Sequence, residues 1–263
     1  MGKNYEQAIR ANTAVQRWKL WEDALKLKGS SLRETFIAEN MLYLGWPRKK
    51  VISCWGEAGT EKIKEKWIKE SPKSKKEIEN YYNNLDLYIP ELSSWHAMEK
   101  NEDLLRIVQF MQFCIRCGTK TYLDFGAGIG SSGLLFDHYG LSTTLADISD
   151  AMLNYSNWRF KKRCVNAKFI DLKKKSLGRN VYDCVTAVEV LEHLTNPIKI
   201  MNDIRLALKK GGFIFATTPF YKDKKRPQHL VHDIKMAKQF EKIGLELISA
   251  EKKGLYRIFK RIK

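Results

Sequence analysis

From residue 120 onward, short apolar runs alternate with amphipathic stretches, and the first run ends directly in a glycine-rich turn. Lys120–Phe125 (KTYLDF) has the aromatic and aliphatic make-up of a strand, and Gly126-Ala127-Gly128-Ile129-Gly130 follows at once. Ser131 to Tyr139 reads as a helix closed by Gly140. Leu141–Ala146 is a second strand ending at Asp147, Ala151–Arg163 a helix, and Asn166–Ile170 a third strand. Tyr182–Val188 is a fourth strand, Pro197–Leu208 a helix closed by Lys209-Lys210-Gly211-Gly212, and Phe213–Thr217 a fifth strand. Such alternation folds into a mostly parallel sheet with helices on both faces. After a helix over residues 232–243, Leu245–Ala250 and Leu255–Ile262 pair as an antiparallel hairpin through Lys252-Lys253-Gly254, a departure from a plain dinucleotide fold.

Residues 1–100 read as a separate helical region. Tyr5 to Lys28 repeats apolar residues at near-helical spacing until Gly29, and Ser31 with Glu34 opens a second helix stopped by Gly45 and Pro47. A short helix near Val51–Trp55, a charged one over 61–70, the Ser71-Pro72-Lys73-Ser74 linker and a helix over 75–84 follow. Two roles suit this region. Tyr81, Tyr82, Tyr88, Trp95 and His96 can shape a pocket over the following domain. Alternatively, residues 32–55 form a helix-turn-helix-like unit, with Gly45-Trp46-Pro47 as its turn and Arg48-Lys49-Lys50 opening its second helix.

The chemistry gathers at the carboxyl ends of the strands, where open α/β sheets bind their ligands. Glycines after the first strand let the backbone approach a ligand, and the helix after them offers free N–H groups. Asp124, two residues before Gly126, suits a cationic group and would repel a pyrophosphate. Asp147, 19 positions after Gly128, stands where an acidic residue accepts from ribose hydroxyls, with Ser149 or Asp150 as the better helix cap. Asp171 can accept from an exocyclic amine, and Leu172 can face a purine ring. Glu189-Val190-Leu191-Glu192-His193 follows the fourth strand, and Thr218–Pro227, with four basic residues and two aromatics, follows the fifth.

Taken in order, LDFGAGIG (123–130), Asp147-Ile148-Ser149, Asp171-Leu172, Glu189-Val190-Leu191-Glu192-His193 and KKGGF (209–213) resemble the motifs of class I S-adenosylmethionine-dependent methyltransferases, in particular the ubiquinone-type O-methyltransferase branch. The likeness spans residues 101–263. It implies a Rossmann-like, seven-stranded, mostly parallel sheet with the last strand antiparallel, and S-adenosylmethionine as cofactor. It implies that the Gly126, Gly128 and Gly130 loop holds the amino-acid end of that cofactor, that Asp147 holds the ribose, that Asp171 and Leu172 sit at the adenine, and that Glu189 and Val190 lie under the methionine part. Asp124, Phe125, Ala127, Ile148 and Met152 complete the cofactor-contacting set. His193 is the candidate general base, with a helix-capping or packing role as the other reading. No metal is assigned, although Glu189, Glu192 and His193, with His229 or His232, are similar to a hard-cation set of some ubiquinone-type and small-RNA-end methyltransferases.

Net charge narrows the partners less than its size suggests. The chain carries +17, most of it beyond residue 100. That excess suits an anionic or nucleotide-containing acceptor, RNA included, and equally a solvated lysine-rich surface. Five scattered cysteines define no disulfide framework, and Cys114-x-x-Cys117 has no second pair to make a zinc site. No apolar run spans a bilayer and no secretory signal is legible, so a cytoplasmic protein is expected. The expected reaction is methyl transfer to an oxygen or nitrogen of a small or modest-sized acceptor. Its rivals are an RNA methyltransferase and a catalytically silent scaffold of the same fold; oligomeric state stays undetermined.

Overall fold

The computed structural model describes residues 3–99, 101–221, 223–233, 235–252 and 255–263. Seven strands form one sheet: β1 (Thr121–Phe125), β2 (Ser142–Asp147), β3 (Lys168–Asp171), β4 (Tyr182–Ala187), β5 (Leu208–Thr217), β6 (Leu245–Glu251) and β7 (Tyr256–Arg261). Their order is β3-β2-β1-β4-β5-β7-β6. Strand β7 is antiparallel to both β5 and β6, and every other pairing is parallel. Because the chain winds outward from β1 to β3 and then returns beside β1 with β4, the β1/β4 junction is the switch point where a crevice opens. The expected sheet is therefore the observed one. In the hairpin turn, Lys253 and Gly254 lie outside the described residues.

Among the described residues, eight helices precede the sheet: α1 (Lys3–Arg10), α2 (Ala14–Leu25), α3 (Leu32–Leu44), α4 (Arg48–Ile52), α5 (Gly56–Glu70), α6 (Lys75–Asn83), α7 (Tyr88–His96) and α8 (Glu102–Arg116). The run expected as one helix from Tyr5 is split at Thr13. Its hydroxyl accepts from Gln16 N–H and the Gln16 side chain answers, a capping box that starts α2 afresh. Within the sheet region lie α9 (Ser131–His138), α10 (Asp150–Lys162), α11 (Pro197–Ala207) and α12 (Met236–Lys242). Strand β5 begins at Leu208, so the lysine-glycine segment expected to end a helix belongs to a strand. Asp183 on β4 fixes it there by accepting from Lys209 Nζ at 2.8 Å.

The boundary expected at residue 100 falls one residue before the Asn101 cap of α8, yet packing does not stop there. One core joins Leu20, Trp21, Leu25, Phe36 and Ile89 to Ile107, Phe110, Leu145 and Phe160. Trp21 Nε1 donates to the His96 carbonyl, and Gln112 Nε2 donates to the carbonyls of Ala8 and Ala11. Phe110 on α8 stacks on Phe215 of β5 with ring centroids 5.6 Å apart.

The helix-turn-helix reading is corrected. Its second helix, α4, has five residues, too few to lie along a groove. Arg48, which would open it, is bound by both carboxyl oxygens of Glu34, and Lys50 Nζ sits 3.8 Å over the Trp46 ring. No described helix is long and apolar enough to cross a membrane.

Candidate active site

At the switch point the chain leaves β1 with positive φ at Gly126 and Gly128. A Cβ on Gly126 would stand 2.3 Å from Val190 Cγ2, so only glycine lets the β1 and β4 loops meet. Gly128 lies under Leu92 of α7, and its N–H donates to Asp147 Oδ2 at 2.9 Å. Asp147 Oδ1 accepts from Ser149 N–H at 2.9 Å. One buried carboxylate at the end of β2 therefore shapes the glycine loop as well as its own turn. Ser149 caps α10 through Met152 N–H, as the spacing suggested.

A cavity of about 1090 Å³ starts at this loop. Of the expected cofactor residues, Asp124, Phe125, Gly126, Ala127, Gly128, Asp147, Ile148, Met152, Leu172, Glu189 and Val190 line it, as does His193. Two do not. Gly130 is packed beneath α10, against Ser156, Leu145 and Phe160. Asp171 is turned toward its own following residues, accepting from Lys173 N–H at 2.9 Å and pairing with Lys174 Nζ at 2.9 Å. Its lysines draw the carboxylate out of the crevice and hold its pKa low despite the opposing effect of burial.

The far half of the cavity belongs to the N-terminal helices and the loop after β5. Tyr82, Tyr88, Trp95 and His96 line it as anticipated, while Tyr81 turns away to donate to the Ile63 carbonyl. Arg226, one of the four basic residues noted in the loop after β5, lines it too; Glu91, Leu92 and Asp103 also contribute, and nothing in their spacing announced it. Arg226 lies 3.5 Å from Glu91 Oε1, and Lys225 reaches Glu57, so the loop after β5 is tied to the N-terminal region by two ion pairs. Lys222 of that loop lies outside the described residues.

Burial sets the protonation of the whole site. Asp124, whose Oδ1 accepts from Thr186 Oγ1 at 3.0 Å, is pushed up to about 7 by desolvation, which outweighs its hydrogen bonds. Glu189 is likewise raised to about 7, first by burial and then by the nearby Asp103 charge. Glu192, fully buried, is held well above the usual carboxylate range by burial and by the Glu189 charge. His193 is lowered to about 3 and His229 to about 4, both mainly by desolvation, so each imidazole is neutral at pH 7. His193 Nδ1 is 2.9 Å from Tyr82 Oη.

Glu192, His193 and His229 also satisfy the demands of a small cation site. One ligand atom from each lies within 4.8 Å of the others. Neither Glu192 oxygen meets a donor of good geometry among the described residues, and His229 Nδ1 is buried without a partner. A carboxylate with two neutral imidazoles is a fitting donor set for a divalent ion, and the Tyr82 contact would orient His193 from behind. His232, the other candidate, packs on Phe220 instead, with ring centroids 5.0 Å apart.

This sheet order, with a glycine loop at its switch point and an aspartate closing β2, defines the S-adenosylmethionine-dependent methyltransferase class. The chain belongs to that family: a family model described as Methyltransferase domain matches residues 92–258. Among curated proteins it is similar to the ubiquinone biosynthesis O-methyltransferase of Paraburkholderia xenovorans (strain LB400), at 28% identity over 102 residues, 38% of this chain and 44% of that protein. The enzyme of the same description from Hydrogenovibrio crunogenus is 26% identical over 145 residues, 54% of this chain and 59% of that one. The chain thus spans about half the length of these relatives. Two solved structures share the fold. One is magnesium protoporphyrin IX methyltransferase from Synechocystis PCC 6803, with bound S-adenosylmethionine (TM-score 0.51, 14% identity, 71% of this chain and 95% of that one). The other is the PH0226 protein of Pyrococcus horikoshii OT3 (TM-score 0.51, 15% identity, 62% and 92%).

Proposed function

We propose that this protein transfers the methyl group of S-adenosylmethionine to an oxygen or nitrogen of a small, partly aromatic acceptor. The observation that carries the reading is the single cavity running from the Gly126–Gly128 loop to the Tyr82, Tyr88, Trp95 and His193 wall. The glycine loop and Asp124 would take the amino-acid end, Asp147 the ribose hydroxyls, and Leu172 with Ile148 and Met152 the adenine. The aromatic wall would hold the acceptor above Glu189 and Val190.

The sulfonium supplies an activated methyl carbon whose transfer needs no acid. The protein's work is then to orient the acceptor in line and keep water out. Methyl transfer from a sulfonium to a neutral or anionic nucleophile disperses charge, which a dry aromatic pocket favours over water. In the tautomer whose Nδ1–H donates to Tyr82 Oη, neutral His193 has an Nε2 lone pair that can accept the acceptor's proton, but a base lowered to about 3 pulls weakly. Orphaned Glu192 favours a second reading of the same residues, in which Glu192, His193 and His229 hold a divalent cation. When bound, such an ion would polarise an acceptor hydroxyl.

Calorimetric titration with S-adenosylmethionine tests the first half. Micromolar binding lost in Gly128→Val and Asp147→Ala is expected, and a folded wild type that does not bind would leave the silent-scaffold reading in its place. A labelled-methyl screen over phenols, amines and RNA then names the acceptor class. RNA as the one labelled product, with steeply salt-dependent binding, would overturn the small-acceptor reading. Manganese binding read by electron paramagnetic resonance, present in the wild type and lost in Glu192→Gln, would establish the cation; its absence would return His193 to the role of unaided base.

A further inference from the structure

The glycine loop is held by a side chain whose charge partner lies outside residues 92–258, the region that the family model matches. Arg159 on α10 is fully buried, and its Nη1 donates to the Ile129 carbonyl at 2.6 Å and to Ser131 Oγ at 3.1 Å. Those two acceptors flank Gly130, so one guanidinium clamps both sides of the loop's last turn. Ser131 Oγ also lies 2.9 Å from His96 Nδ1 on α7. Arg159 Nε in turn donates to Glu39 Oε2 at 3.0 Å, and Arg163 Nη2 donates to Glu39 Oε1 at 2.6 Å. Glu39, on α3, is itself buried.

Two guanidiniums thus converge on one carboxylate. Arg159 Nη2 has no acceptor among the described residues, and the guanidinium lies 4.9 Å over the Phe36 ring. Phe36 and Glu39 sit on the same α3 face, one turn apart. Remove the Glu39 charge and two buried cations face each other uncompensated, which drives Arg159 away from its place behind the loop. A small displacement there moves the peptide groups that line the cofactor end of the cavity.

We infer that Glu39 is a positioning residue for the S-adenosylmethionine site, acting through Arg159 on the Ile129–Ser131 turn. This rests on the proposed placement of the cofactor's amino-acid end at the glycine loop. It assigns the N-terminal helices a part in cofactor affinity in addition to lining the acceptor pocket.

The test is a double-mutant cycle on cofactor affinity, measured by calorimetry well below the melting temperature. Glu39→Gln is expected to weaken S-adenosylmethionine binding at least about tenfold, as is Arg159→Gln. The double variant should bind no worse than Arg159→Gln alone, because Glu39 has no other route to the loop. Glu39→Asp, which keeps the charge on a shorter arm, should recover most of the affinity and guards against a Glu39→Gln variant that fails to fold. Amides 127–132 should exchange faster with deuterium in any variant that binds weakly. A lower melting temperature with unchanged affinity in the folded variants, or additive losses in the cycle, would overturn the inference. Gly128→Val separates the two layers. If it leaves binding intact, the loop assignment itself is wrong; if it abolishes binding while Glu39→Gln does not, only the role of Glu39 falls.

Discussion

If Asp124 meets the cationic end of the cofactor as proposed, this one buried side chain makes cofactor binding depend on pH. Held near 7 by desolvation, it is about half protonated in the free protein at neutral pH. A cationic ligand group beside it favours the ionised form, so binding must expel a proton. Affinity for S-adenosylmethionine should therefore rise as pH increases toward about 7 and flatten above it. Proton release, seen as calorimetric heats that vary with buffer ionisation enthalpy, checks this. Asp124→Asn should remove much of the slope and weaken binding about 10- to 100-fold, while Glu189→Gln, whose carboxyl is also near 7, should remove the rest. Gly126→Ala is the steric counterpart. Positive φ for a side chain costs about 1–2 kcal/mol, and the Val190 collision adds to it. A melting temperature lower by several degrees with cofactor binding largely lost is expected, read by scanning calorimetry and titration. That Gly126, Gly128 and Asp147 would meet at the cavity was legible from spacing, because backbone geometry at a strand-to-helix turn leaves few alternatives, whereas Gly130 is spent on packing against α10. Asp171 was not: its lysine partners at 173 and 174 adjoin it in sequence, and only the turn geometry shows that they, rather than the cavity, receive the carboxylate.

At the scale of elements, α6 reaches furthest into the chemistry. Its Tyr82 hydroxyl meets His193, its Tyr82 carbonyl accepts from Ser149 Oγ, and Asn83 Oδ1 accepts from Asp150 N–H. Both His193, the proposed base, and the turn after Asp147 thus lean on one short helix. Tyr82→Phe should lower kcat about 5- to 150-fold with cofactor affinity near wild type, since an orphaned buried partner costs about 1–3 kcal/mol. Steady-state kinetics on the acceptor found by screening, beside calorimetry, separate the two. The strands and the hairpin could be read from alternation and turn residues alone. The break between α1 and α2 carries the same capping-box signature, Thr13 with Gln16, that opens α3 at Ser31 and Glu34, but an apolar rhythm that runs on across it masks the signal. Likewise Glu91 and Arg226 carry no local signal, since their pairing spans 135 positions.

Over the whole molecule, the division expected at residue 100 is a change of secondary structure and not a seam in the packing. Trp21, Phe36 and Ile89 are buried in the same core as α8 and the sheet. A fragment comprising residues 101–263 would expose this surface together with the unpaired Arg159 charge. It is expected to bind a hydrophobic dye and to lack cooperative melting, whereas the intact chain should melt in one transition by both near- and far-ultraviolet circular dichroism.

The sheet order has a consequence in time. Strand β6 pairs only with β7, and β7 inserts between β6 and β5. A chain emerging from the ribosome therefore makes β6 before the strand that joins it to the rest. During that interval β5 presents an open edge and β6 has no place in the sheet, a state prone to mispairing with another copy. The fold is completed by threading a late strand into an inner position rather than by adding one at the rim.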